Sequence, residues 1–159
     1  MFNKKLIAFL IMLTILGAIG CVDEGTQSTE INDDQLFFEW LPSSIKLIQS
    51  DFDEISTAKS SGNFTMMGIQ GANLKNDCLS DISMIDNYVL SPSTQDIADE
   101  YRMALEDYSK AGELIESYAN SGDISNIENA TEYLYSGASH SERVTTMISD
   151  LLDIVKNNK

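Results

Sequence analysis

From residue 33 onward, apolar positions recur in alternating steps of three and four. Phe37, Leu41, Ile45, Ile48, Phe52 and Ile55 make the first such stripe. The second runs Phe64, Met67, Gly71, Leu74, Cys78, Ile82, Ile85 and Val89, and the third Ile97, Tyr101, Ala104, Tyr108, Ala111, Ile115 and Tyr118. A fourth runs Ile127, Ala130, Leu134, Gly137, Ser141, Val144, Ile148, Leu151 and Val155. Steps of three and four keep side chains on one face of a 3.6-residue helix, whereas a half-buried strand alternates with period two. No stretch alternates convincingly, so the pattern predicts helices over 33–61, 63–90, 93–120 and 123–156.

The residues between the stripes are helix punctuation. Asp33 and Asp34 suit the positive N-terminal end of a first helix. Pro42 predicts a kink in that helix or a fresh start at its first position, because proline lacks the N–H and clashes with the preceding turn. Ser61-Gly62-Asn63 and Ser121-Gly122-Asp123 offer a glycine to follow a helix end and a capping residue for the next start. Ser91-Pro92 ends the second helix, and Ser93 with Asp96 three residues on predicts a capped third helix. Short connections make consecutive helices antiparallel. The expected fold is all-α, an antiparallel up-down-up-down four-helix bundle, about 40 Å long at ~1.5 Å rise per residue. A shift of 60 residues places Ile55 on Ile115, Gly62 on Gly122, Met67 on Ile127 and Leu74 on Leu134. A duplicated helical hairpin and two independent solutions to one packing problem both account for this.

The first 21 residues differ in kind. Lys4 and Lys5 precede an apolar run from Leu6, and Ala18 and Gly20 lead into Cys21. A basic start, a short apolar segment and small residues mark a secretory signal peptide. Ala18-Ile19-Gly20-Cys21 resembles the lipobox of prokaryotic lipoproteins. The resemblance implies cleavage after Gly20, a lipid on Cys21 and a home on the extracytoplasmic face of the cell membrane. An uncleaved N-terminal membrane anchor and a secreted, non-lipidated protein are the alternatives. The apolar run falls short of the roughly 20 residues that span a bilayer. Residues 21–32 are polar and without period, a lipid-anchored flexible tether whose last 11 residues reach at most ~35–40 Å. Residues 33–159 form the bundle.

Charge narrows the partners. Without the signal segment, eight Lys/Arg face all 25 Asp/Glu of the 159-residue chain, a net charge of −17. Nucleic-acid binding runs on cationic contacts to phosphate, so no nucleic-acid partner is expected. Anionic headgroups are repelled too, leaving a lipid on Cys21 to supply membrane affinity. A protein partner or a small ligand is open, as is the oligomeric state. In architecture only, the domain resembles extracytoplasmic four-helix sensor domains of prokaryotic receptors. Those continue into a second membrane helix, whereas this chain ends at Lys159, so a signal is expected to pass through a partner.

Candidate chemistry gathers at one level of the bundle: Cys78, Tyr101, Tyr108, Gly137, His140 and Ser141. Helix four is small there, with Ser136, Gly137, Ala138 and Ser139. Small residues either let helices approach closely or leave a pocket between them. His140 precedes the stripe by one position and so sits on its flank. Glu-x-x-His, the signature of di-iron bundles, is absent from the sequence, and no metal site is expected. Cys78 has Asp77 and Asp81 for neighbours; negative charge raises a thiol pKa, which argues against a nucleophile. Asp51-Asp53-Glu54, Asp77 with Asp81, Asp96-Asp99-Glu100 and Glu106-Asp107 are expected on solvated faces. Asn63 and Asn129 match the Asn-x-Ser/Thr glycosylation pattern. No nucleophile elbow, phosphate loop or dinucleotide fingerprint occurs, and neither a cofactor nor an enzyme activity is expected. Phe37, Phe38 and Trp40 either cap one end of the bundle or form an exposed patch, with capping favoured. The expectation is thus a membrane-anchored bundle lipoprotein with a binding or structural role. The alternative is a small-molecule or metal carrier using the mid-bundle level.

Overall fold

The computed structural model describes residues 32–157. Cys21, the signal segment and the tether up to Ile31 lie outside the described residues. Four helices follow one another: α1 (Asp33–Ser60), α2 (Phe64–Ile85), α3 (Pro92–Ser121) and α4 (Ile124–Asn157). They form the expected all-α four-helix bundle, and no strand occurs among the described residues. The starts of α2 and α4 are 60 residues apart, the same shift that aligns the two halves of the sequence.

The turn chemistry acts as its residue types dictate. Asn63 Oδ1 accepts the Met66 N–H at 3.0 Å, and Asp123 Oδ1 accepts the Ser125 N–H at 3.0 Å. Gly62 and Gly122 are the described residues with positive φ, 69° and 72°, a left-handed conformation that a Cβ disfavours. Asn32 caps α1, its Oδ1 accepting from the Gln35 N–H at 2.9 Å. Pro42 lies inside α1, which continues through it as one helix to Ser60.

The second connection departs from expectation. α2 stops at Ile85, five residues short of the predicted 90, and Val89 is 86% exposed instead of on the core stripe. Tyr88 turns its ring onto Phe37 and Trp40 of α1, with centroids 6.0 and 6.1 Å apart. Asp33 Oδ2 accepts the Val89 N–H at 2.7 Å, and Asp34 Oδ1 the Ser91 N–H at 2.8 Å. These tertiary partners outcompete continued helix. The capping position of α3 is Ser91, with Pro92 inside the first turn, and not Ser93.

The packing is uneven. α2–α3 and α3–α4 have the most extensive close backbone contact, α1–α2 much less, and α1–α4 almost none. Glycines explain the tight pairs. A Cβ at Gly112 would lie 2.5 Å from the Gly71 carbonyl oxygen, one at Gly71 2.8 Å from the Gly112 oxygen, and one at Gly68 2.5 Å from Ala119 Cβ. α1 instead reaches α3 through large side chains: Trp40 on Tyr101 (6.2 Å) and Phe52 on Tyr108 (4.9 Å, edge to face). The main core joins Phe37, Leu41, Ile45 and Ile48 of α1 to Leu74, Ile85, Ile97, Leu105, Val144 and Ile148. A smaller cluster of Ala58, Met67, Ala111, Ile115 and Ala130 lies towards the Gly62 and Gly122 turns.

Trp40 is half-buried and contacts Phe37, Tyr88 and Tyr101, which places it as a cap on the core. Trp40→Ala is expected to lower stability by about 2–3 kcal/mol, below the full cost of a buried Trp because part of the ring is already wet. Thermal unfolding measures this. An unchanged transition together with lost partner capture would make Trp40 part of an exposed patch.

Candidate functional site

The predicted mid-bundle residues separate into three groups. In the first, Tyr108 of α3 seats its ring against Gly137 of α4. A Cβ there would be 2.5 Å from Tyr108 Cε1 and 2.7 Å from Cδ1. The phenol oxygen lies 3.1 Å from Ser141 Oγ. The small residues of α4 thus accommodate an aromatic ring, and that ring takes the space beside Gly137 in which a pocket was one expectation. Burial and neighbouring negative groups push the Tyr108 phenol up to about 12, despite its bond to Ser141. A solvent-open concavity on α3 and α4 is lined by Asp107, Lys110, Leu114, Asn129, Glu132, Tyr133 and Ser136.

The second group is a buried polar seam where α1 meets α2 and α3. Ser44 Oγ donates to Asp81 Oδ2, and Tyr101 OH lies 2.6 Å from the same Ser44 oxygen. A hydroxyl has one proton, so with Ser44 donating to Asp81 the Tyr101 phenol donates to Ser44. Burial holds that phenol well above its ordinary value. Asp81 is 7% exposed and Asp51 6% exposed. Burial raises the Asp81 pKa and the Asp77 charge adds to it, against the Ser44 hydrogen bond.

Asp51 is the anomaly of the seam. Its Oδ2 is buried without a hydrogen-bond donor. Burial, the charges of Asp77 and Glu54, a hydrogen bond with Asp77 and the charge of Asp81 push its carboxyl up to about 7. Burial comes first, as it does wherever a charged form loses water without gaining a cation. Cys78, fully buried beside this cluster, has its thiol pushed up by burial and then by Asp51, Asp81 and Asp77. It stays a neutral, inert thiol.

These positions correct the sequence reading. Asp51 and Asp81 were expected on solvated faces, yet both are buried. Helical spacing carries the signal: Ser44 is three residues after Leu41 and four before Ile48, Asp51 three after Ile48, and Asp81 three after Cys78 and four before Ile85. All lie on the core side of their helices, where residue type alone argued for the outside.

The third group lies on the α3–α4 flank. His140 is 9% exposed, with Nδ1 2.6 Å from Glu100 Oε1 and 2.5 Å from Arg143 Nη2. Its Nε2 is 3.8 Å from Asp107 Oδ2. Arg143 Nε also donates to Glu100. Burial opposes ionisation of Glu100, but the bonds and charges of Arg143 and His140 outweigh it and lower the pKa. This is an interhelical clasp. Arg143 is about half exposed, and ion pairs that wet contribute ~0–1 kcal/mol.

Among the described residues, no three His, Cys, Asp or Glu side chains converge to hold a metal, and no helix is long and apolar enough to cross a membrane. Asn63, an exposed helix cap, and Asn129, exposed on α4, are both sterically open as glycosylation acceptors. Comparison of the chain with known protein families, characterised proteins and solved structures finds no match.

Proposed function

We propose that the chain is a lipoprotein held on the extracytoplasmic face of a cell membrane by a lipid on Cys21, its acidic bundle serving a binding or structural role without catalysis. The observation that carries this is the run from Lys4-Lys5 through the apolar Leu6–Gly17 segment to Ala18-Ile19-Gly20-Cys21. The polar segment that follows suits a tether, and an excess of 17 negative charges beyond it favours a lipid over headgroup attraction as the source of membrane affinity. The non-catalytic reading is supported by the state of the buried reactive groups. The Cys78 thiol and the Tyr101 and Tyr108 phenols are all held above their ordinary pKa values, which keeps them protonated and poorly nucleophilic. The Tyr108 ring fills the space beside Gly137, which favours this reading over a mid-bundle carrier.

Metabolic labelling with a tagged fatty acid tests the proposal. The wild-type protein is expected to take up label and partition into detergent, and Cys21→Ala is expected to take up none. A wild-type protein without label contradicts it.

A further inference from the structure

The polar seam differs from the rest of the bundle in what holds it. α2, α3 and α4 are interlocked by glycine contacts whose neighbours are backbone atoms, the Ala119 and Ile115 side chains or the Tyr108 ring. α1 has less close backbone contact with α2 than the tight pairs share, almost none with α4, and rests on large side chains plus the seam. Within that seam Asp51 is 6% exposed and its Oδ2 has no hydrogen-bond partner, while Asp77 and Asp81 of α2 are the carboxylates of that helix that act on it. An ionised Asp51 there adds a third negative charge to Asp77 and Asp81. A protonated Asp51 instead removes that charge and has an O–H to donate to the Asp77 carboxylate. We propose that Asp51, Asp77 and Asp81 form a proton-operated latch: a proton shared between Asp51 and Asp77 docks α1 on α2, and its loss loosens α1 from the other three helices.

The surroundings leave the proton as the controlling charge. On α1 the other titratable group acting on Asp51 is Glu54, also acidic. From α2 come Asp77, Cys78 and Asp81. From α3 come Tyr101 and Tyr108, both neutral through the physiological range, and α4 contributes Ser141 on the Tyr108 hydroxyl and the charge of Glu142. The charges that weigh most on Asp51 are all negative. Asp77 is only half-buried, which gives the shared proton a route to water. Burial and these carboxylates set the Asp51 midpoint near 7, so the latch works close to neutral pH.

Amide hydrogen exchange on the full chain, corrected for the intrinsic pH dependence of exchange, reads the latch helix by helix. Protection of α1 around Ile48–Phe52, relative to α3 around Ala104–Ala111, is expected to fall about tenfold between about pH 6 and pH 8, since one released proton changes an equilibrium at most tenfold per pH unit. Asp51→Asn is expected to abolish this selective loss. Asp77→Asn removes the facing charge and is expected to do the same, which keeps the test open should the first variant misfold. Equal changes in α1 and α3, no pH-dependent change in the wild type, or a selective loss that survives Asp77→Asn would each overturn the latch.

Discussion

Gly112→Ala lowers the stability of the bundle by about 2–3 kcal/mol, although alanine is the better helix former by ~1 kcal/mol in isolation. The two effects oppose each other, and the structure decides between them. The added methyl would stand 2.5 Å from the Gly71 carbonyl oxygen and 2.9 Å from the Lys75 backbone nitrogen. Neither atom can rotate away as a flexible side-chain tip does. Relief requires α2 and α3 to separate, which loosens the Gly68–Ala119 contact and the packing of Leu74 along the same interface. Denaturant unfolding of the variant measures the outcome. A gain of about 1 kcal/mol, the value propensity alone predicts, would show that the helices do not approach at this point.

Asp51→Asn has the opposite sign and depends on pH. The folded-state pKa of Asp51 is raised to about 7 from an ordinary 3.8, so the folded protein holds a proton that the unfolded chain gives up. Its contribution to stability is full below the unfolded value and is lost as pH rises through the folded one. Asp81, raised by burial, acts in the same direction. Asp34 and Glu100 act in the other. Burial opposes their ionisation, but the Ser91 and Thr94 bonds of Asp34 and the Arg143 and His140 contacts of Glu100 outweigh it, lowering both pKa values. Their contributions are present above the ordinary carboxylate range and lost in acid. The wild-type protein is therefore most stable in mild acid and loses stability towards pH 8. Asparagine keeps the shape, cannot ionise and offers a donor to Asp77. At pH 8 the variant is expected to be more stable by on the order of 2 kcal/mol, with a flattened profile between pH 4 and 8. Thermal unfolding across that range measures it. A variant less stable by the same amount at every pH would mean that the carboxylate of Asp51 is satisfied by a partner in the seam.

The fold was legible because it rests on spacing. Sustained three-and-four steps and two serine–glycine–acid-or-amide turns fix four antiparallel helices, and Gly62, Asn63, Gly122 and Asp123 do what their chemistry requires. The end of α2 was not legible, because it is set by Asp33, Asp34 and the Phe37–Trp40 surface some 50 residues away in sequence. Cys78, Tyr101, Tyr108, Gly137, His140 and Ser141 read from spacing as one level, whereas the fold divides them: Tyr108 with Gly137 and Ser141, Tyr101 with Ser44, and His140 with Glu100. Spacing shows that Gly137 faces the core and leaves unsaid whether a ring or a void lies opposite. The buried state of Asp51 and Asp81 was hidden for another reason. Carboxylates are seldom fully buried without a partner, so residue type outweighed position, and the Ser44 and Asp77 partners come from the facing helix. Sites that break such a rule are where special chemistry is expected.

Intact-mass spectrometry of the membrane-extracted native protein, with Cys21→Ala as the control, tests lipidation of Cys21. The predicted result is a chain beginning at residue 21 plus the mass of a covalent lipid, and no such species from the variant. A mass that retains residues 1–20, or one that begins near residue 21 without added lipid, would contradict the account.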